Sequence, residues 1–430
     1  MRSHALSTDT EVVLLLCGRF GGERQEPFQP LSTREYGELA KWLNLKNLRP
    51  STLMTEAGQA ALQSVHEARL ERKRVDFLLA RGTAMALALE RWSRGGLWVI
   101  SRGDPEFPRR LKRHLKHAAP PLLYGAGKKE LLDTGGLAII GSRDATEDAL
   151  EFTRVMAAEC AQEGIGVVSG GARGVDAAAM QAATDAGGST IGVLANDLLK
   201  TSVNRQHRAG LQEGRMVLVS PFYPEAGFNA GNAMARNKYI YALSDRALVI
   251  DSALGSGGTW EGAVEVLQQQ WVPLFVRMPG NGAGNTALIG KGAIAFSRMP
   301  DQGEGLLQFF EQAAAKSLPS ESESESQAEP ESQQPSLLSD ASAPDDVRPS
   351  EPVLTNPPAD TALDMFDDFI TKLSSALQTG PLSEEEISQR LGLEKGQAKA
   401  WLKKADQACL VERLNKPVRY ARRRQPSLLM

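Results

Sequence analysis

The chain has 430 residues, 42% apolar and 23% charged, with a net charge of −3. That length and balance fit a soluble globular protein of two or three domains, and the net charge by itself carries no nucleic-acid signature. Residues 317–362 hold ten Asp/Glu and one Arg, a net of −9, so the rest of the chain sums to +6.

The longest apolar run near the start, Val12 to Cys17, is too short to span a bilayer and lacks the flanks of a signal peptide. Cys17, Cys160 and Cys409 lie far apart. A disulfide framework is therefore not expected, and a reduced, cytoplasmic protein is. His114 and His117 stand in a basic stretch with no carboxylate or thiol cluster, which argues against a metal site.

Residues 1–94 read as a helical region. Residues 59–92 in particular are rich in Ala, Leu, Glu and Arg and contain no Pro. Leu97 to Ile100 is a short strand candidate, followed by a turn-rich stretch and by Pro120 to Gly125. From Leu137 the pattern alternates between short apolar runs and helical stretches. Strands are predicted at Leu137 to Ile140, Gly166 to Val168, Thr190 to Leu194, Met216 to Val219, Ala247 to Ile250 and Pro273 to Val276. Most are β-branched and uncharged, as strands covered on both faces should be. Between the first two, Ala149, Phe152, Met156 and Cys160 form one helical stripe. The alternation predicts an α/β fold with a doubly wound, mostly parallel Rossmann-like sheet over residues 95–316, without internal repeats.

Residues 317–362 contain ten Ser, eight Pro and no aromatic side chain, the composition of a disordered linker. Residues 363–425 read as short helices and a hairpin. Ser383 and Glu386 form a capping box, Ile387 and Leu391 an apolar face, and Lys395 to Ala408 another helix. Leu410–Val411 and Val418–Tyr420 can pair across Asn415 to Pro417. This is a winged-helix pattern that would contact duplex DNA or a protein partner, and Lys399, Lys403 and Lys404 suit the former.

Four glycine-rich or basic segments fall at or near strand ends. They are Gly141-Ser142-Arg143, the run Ser169-Gly170-Gly171-Ala172-Arg173-Gly174-Val175-Asp176, Arg236-Asn237-Lys238, and Gly255-Ser256-Gly257-Gly258-Thr259-Trp260-Glu261. Glycines let backbone N–H groups approach an anion, and Arg can grip it bidentately. Each turn could equally serve tight packing alone. Together they point to a phosphate site made of Gly141, Ser142, Arg143, Ser169, Gly170, Gly171, Arg173, Arg236, Asn237, Lys238, Gly257, Gly258 and Thr259. None matches the dinucleotide or P-loop fingerprints, so no cofactor is predicted.

The segments IIGSR (139–143), VVSGGARGVD (167–176), ARNKYIYALSDRALVID (235–251), SGGT (256–259) and GNTALIGKGA (284–293) resemble the DNA-processing protein A family (DprA/Smf) in order and combination. The resemblance implies a single-stranded DNA-binding, non-catalytic homodimer that serves a RecA-type recombinase in recombination or natural transformation. DNA phosphates would then meet Ser142, Arg143, Ser169, Gly170, Gly171, Arg173, Arg236, Asn237 and Lys238 without base readout. Departures mark a divergent member: Met180 stands where the family usually has His, Ala195-Asn196-Asp197 replaces a glycine cluster, and Lys238 replaces Arg. The stretch Gly258-Thr259-Trp260-Glu261 is also similar to the "lonely guy" nucleotide hydrolases. In that alternative Arg236 holds a phosphate and Glu261 assists N-glycosidic cleavage, with Glu261 otherwise a first-turn carboxylate behind a Thr259 N-cap. A nucleotide sensor of a defence system is the third reading.

Overall fold

A computed structural model describes residues 6–21, 26–280, 282–298, 305–317, 365–391, 398, 401–402, 405, 411–414 and 418–422. The chain divides into two compact units, residues 1–327 and 328–430.

The first unit opens with helices α1 (Thr8–Cys17), α2 (Thr33–Leu45), α3 (Glu56–Ala61), α4 (Arg72–Leu79) and α5 (Gly82–Arg94). α1 to α4 pack around Leu16, Leu39, Trp42, Leu53, Val65 and Leu78. The stretch expected to be evenly helical is broken. Leu62–Ala68 is a 3-10 turn, and Arg69 at φ +59° ends it. Leu62, Val65 and Ala68 are all buried, and their spacing of three suits a three-residue turn, which stacks i and i+3.

The sheet follows with β1 (Leu97–Ser101), α6 (Arg109–Leu115), β2 (Leu122–Gly127), β3 (Leu137–Ile140), α7 (Glu147–Gln162), β4 (Val167–Ser169) and α8 (Val175–Asp185). Next come β5 (Thr190–Val193), α9 (Leu198–Ser202), α10 (Arg205–Gln212), β6 (Met216–Ser220), α11 (Ala230–Leu243) and β7 (Arg246–Val249). The unit closes with α12 (Gly257–Gln269), β8 (Leu274–Arg277), α13 (Ala283–Gly290), β9 (Ile294–Phe296) and α14 (Leu306–Ser317). Strand order is β1-β2-β6-β5-β4-β3-β7-β8-β9. β3 to β9 are mutually parallel, and β2 pairs antiparallel with both β1 and β6. The expected doubly wound, mostly parallel sheet is therefore present, extended at one edge by an antiparallel pair.

Strand residues alternate between two cores. Ala138, Ile140, Val249 and Val276 pack with α6, α11 and α12. Leu137, Ile139, Leu248 and Phe275 pack with α7, α8 and α14. The predicted stripe of Ala149, Phe152, Met156 and Cys160 lies in the second core. The topological switch point falls between β3 and β7, where successive connections run to opposite faces. A crevice opens there beyond the carboxyl ends of the strands.

The second unit shows α15 (Met365–Ala376), α16 (Glu384–Leu391) and the antiparallel pair β10 (Val411–Leu414) and β11 (Arg419–Arg422). The Ser383 N–H donates to Glu386 Oε2 at 2.8 Å and the Glu386 N–H to Ser383 Oγ at 3.3 Å, which completes the expected capping box. Ile387, Phe369, Leu373 and Tyr420 share a small core. The expected linker beyond Ser317, most of the helix at 395–408, its Lys399, Lys403 and Lys404, and the hairpin turn lie outside the described residues.

Candidate nucleic-acid interface

The segments singled out in the sequence converge on the switch point, and hydrogen bonds hold them there. Gly174 has φ +87°, and a Cβ on it would stand 2.3 Å from the Ser142 carbonyl oxygen, so only glycine lets the β3 and β4 turns touch. The buried Ser169 hydroxyl donates to the Ile139 carbonyl at 2.7 Å. The Thr259 hydroxyl donates to the Gly141 carbonyl at 3.0 Å, and Asn237 Nδ2 donates to the Gly258 carbonyl at 2.8 Å. Thr259 is therefore not an N-cap. Ser256 holds that position, and its side chain makes no capping bond.

The result is a crevice of about 390 Å³, lined by Gly141, Ser142, Arg143, Asp176, Arg236, Asn237 and Gly257 to Thr259. The N-terminus of α12 opens into it with no acid in its first turn. Uncapped N–H groups at that end favour an anion. A second cleft of about 490 Å³ adjoins it, lined by Gly170, Gly171, Arg173, Met180, Asn196 and His207. Burial holds the His207 imidazole below its usual pKa. The two clefts share Arg143, Arg236 and Phe228.

The two shared arginines differ in kind. Arg143 is exposed, and its guanidinium stands 5.4 Å from the centre of the Phe228 ring. Arg236 is only 4% exposed. Its Nη1 lies 3.4 Å from Asp176 Oδ2 and donates to the Val193 carbonyl at 3.2 Å. A Cβ on Gly170 would fall 1.0 Å from that Nη1. Gly170 thus makes room for the guanidinium, and Arg236 is a part of the crevice wall rather than a surface clamp. Burial pushes the Asp176 carboxyl upward in pKa, opposed by Arg236 and by the N–H groups of Ala172 and Gly170. Burial likewise lowers Arg236, opposed by Asp176. Each ion is thus disfavoured by its own desolvation and sustained by the other.

The remaining residues fall into place around this pair. Arg173 is exposed and ion-paired with Asp144. Ser169 and Asn237 spend their side chains on the bonds described above. Lys238 lines neither cleft: its Nζ lies 5.2 Å from the Tyr239 ring. Glu261 is exposed and also lines neither cleft, so the geometry brings no carboxylate at that position to Arg236. Tyr239 belongs to the core cluster, and Trp260 packs against that cluster. Phe228 was not legible beforehand as a site residue. Its only local signal is an aromatic between Gly227 and the Asn229 N-cap, and it is 64% exposed. Among the described residues no cluster of three metal-binding side chains occurs, and no helix is long and apolar enough to cross a membrane.

A doubly wound sheet with a glycine-lined, arginine-bearing crevice at its switch point defines a Rossmann-like domain of the kind that holds ligands at strand ends. Residues 98–306 match the family model described as DNA recombination-mediator protein A, that of the DprA/Smf proteins. Protein Smf of Escherichia coli (strain K12) is 35% identical over 140 residues, 32% of this chain and 37% of that protein. Protein Smf of Synechocystis is 31% identical over 165 residues, 37% and 40% of the two chains. The match thus spans well under half the length of these relatives. The crystal structure of DNA processing protein A from Streptococcus pneumoniae shares the fold, with a TM-score of 0.52, 19% identity, and coverage of 68% of this chain and 95% of that one.

Proposed function

We propose that this protein binds single-stranded DNA through the crevice at the β3–β7 switch point and serves recombination. The carrying observation is that Ser142, Arg143, Arg236 and the uncapped start of α12 line one crevice. Arg143 and backbone N–H groups contact phosphates, which makes binding independent of base sequence and steeply salt-dependent. The relatives' designations as DNA-processing proteins support this reading. On the same reading the protein works as a cytoplasmic homodimer, passes the strand to a RecA-type recombinase, and performs no catalysis. The nucleotide hydrolase is disfavoured by Glu261, which stands outside both clefts.

The test is fluorescence anisotropy with a labelled oligonucleotide, alongside incubation with nucleoside monophosphates. Binding that Arg143→Ala weakens, without release of free base, is the expected result. Glu261-dependent release of base, or tight nucleotide binding without DNA affinity, overturns it. Light scattering checks the dimer, and recombinase assembly on protein-coated single strands checks the partner.

A further inference from the structure

A third and larger groove, about 950 Å³, lies between the N-terminal helices and the sheet. Its walls come from the end of α1 and the loop before α2 on one side, with Arg19, Pro30 and Leu31. The loop after β6 forms the other, with Pro221, Phe222 and Phe228. Phe228 lines this groove and both clefts described above, so the three meet at that ring.

The loop that carries Phe222 and Phe228 is anchored on one side and open on the other. Glu225 accepts from Trp92 Nε1 at 3.0 Å and from Arg91 Nη2 at 3.1 Å, which offsets its charge. The Asp197 N–H donates to the Ala226 carbonyl at 2.8 Å, and the Leu199 N–H to the Pro224 carbonyl at 3.0 Å. Past that point a Cβ on Gly227 would meet nothing within 4 Å, and Phe228 projects 64% exposed. A large exposed aromatic of this kind has no role in the core.

We propose that this groove continues the nucleic-acid path, taking unpaired bases that leave the phosphate crevice over Phe228 and stacking them along Phe222. The inference rests on the DNA reading of the crevice. Its support is that groove and crevice meet at Phe228, and that the groove wall offers aromatic and proline rings with one arginine, Arg19, beside Ser32, Thr33, Asn229 and Asn232, its one carboxylate, Glu225, being held by Arg91 and Trp92. Flat faces of this type hold any base, whereas phosphates need donors. The N-terminal helices therefore lengthen the bound strand instead of only bracing the sheet.

The experiment compares oligothymidylates of about four and about sixteen nucleotides, the range a single binding fold occupies. Wild-type protein and Phe222→Ala, a residue that lines only the groove, are measured by anisotropy, with thermal melting as a check on folding. The expected result is unchanged affinity for the short strand and about 10-fold weaker binding of the long one, the value of one stacked base. Irradiation of wild-type protein with a 5-iododeoxyuridine strand should crosslink Phe222 or Phe228, which keeps the test independent of the variant's stability. Equal affinity of Phe222→Ala at both lengths and no crosslink in the groove overturn the inference. Such a result leaves the crevice reading standing if Arg143→Ala still weakens binding. Failure of wild-type protein to bind either strand overturns the crevice reading itself.

Discussion

Replacing Arg236 by Ala separates a wall residue from a DNA-contacting residue. The side chains of Arg236 and Asp176 are 5% and 6% exposed and 3.4 Å apart. Removing one partner of a buried pair leaves the other charge uncompensated and costs about 3–5 kcal/mol. For a cooperative unit of this size, each kcal/mol lowers Tm by about 2–4 °C, so the variant should melt roughly 6–20 °C below wild type. The deficit should depend on pH in a definite direction. Burial already raises the Asp176 carboxyl above its ordinary value, and loss of Arg236 removes the main opposing influence. A group whose folded pKa is raised contributes stability at low pH and loses it as pH rises through that pKa. The variant's deficit should therefore be larger at pH 8 than at pH 4, because falling pH lets the raised Asp176 carboxyl take up its proton. Arg236→Met with Asp176→Leu should recover most of the loss, because no lone ion remains. Differential scanning calorimetry at the two pH values reads this directly. A deficit under about 2 °C, or one equal at both pH values, would refute the account of the pair as mutually sustained ions.

Two glycines should respond oppositely to alanine. Gly170→Ala puts a Cβ 1.0 Å from Arg236 Nη1, evicts the guanidinium and should cost about as much as losing the pair, whereas Gly37 lies inside α2 with nothing within 4 Å of a Cβ. Gly37→Ala should therefore gain about 0.5–1 kcal/mol in chemical denaturation, and a loss there would contradict the open helix face. Arg143→Ala should leave Tm within a degree or so of wild type. It should also flatten the slope of log affinity against log salt by about one unit, and an unchanged slope would remove Arg143 from the phosphate contacts. Glu35, hydrogen-bonded first by Arg74 and also by Ser32, has its carboxyl lowered to about 2. Its contribution is present above pH 4.5 and lost as pH falls toward 2, so Glu35→Gln should cost about 1 kcal/mol at pH 7 and nothing near pH 2.

The parallel strands β3 to β8 were legible because each is a short, mostly buried apolar run, and β3 matches its predicted limits to the residue. β2 was not. It follows two prolines and contains Gly125 and Gly127, features of a turn. Its glycine is explained only by a distant residue: a Cβ on Gly125 would stand 2.4 Å from the ring of Trp98 on the neighbouring strand. The antiparallel edge is thus set by a cross-strand contact that local composition does not carry. β9, at three residues, is too short to show a period. Composition also ran residues 59–92 together, because propensity does not register the positive φ at Arg69 that separates the helices.

The crevice was legible as a place and less so as a set of contacts. A sequence presents Arg236, Asn237 and Lys238 as three adjacent polar groups, yet a helix turns each by about 100°, so they face three different surroundings. Arg236 meets Asp176 beyond β4, Asn237 meets the start of α12, and Lys238 points to Tyr239. Two of the three are consumed in holding loops together, and the third leaves the crevice. Loss of DNA binding in Arg236→Ala or Asn237→Ala would therefore follow from a displaced loop as readily as from a lost contact. Arg143 is exposed, stands on the rim and shares no ion pair among the described residues, so its removal perturbs binding without moving the frame. The physical distinction between frame and contact lies in burial, and burial is what a row of letters withholds.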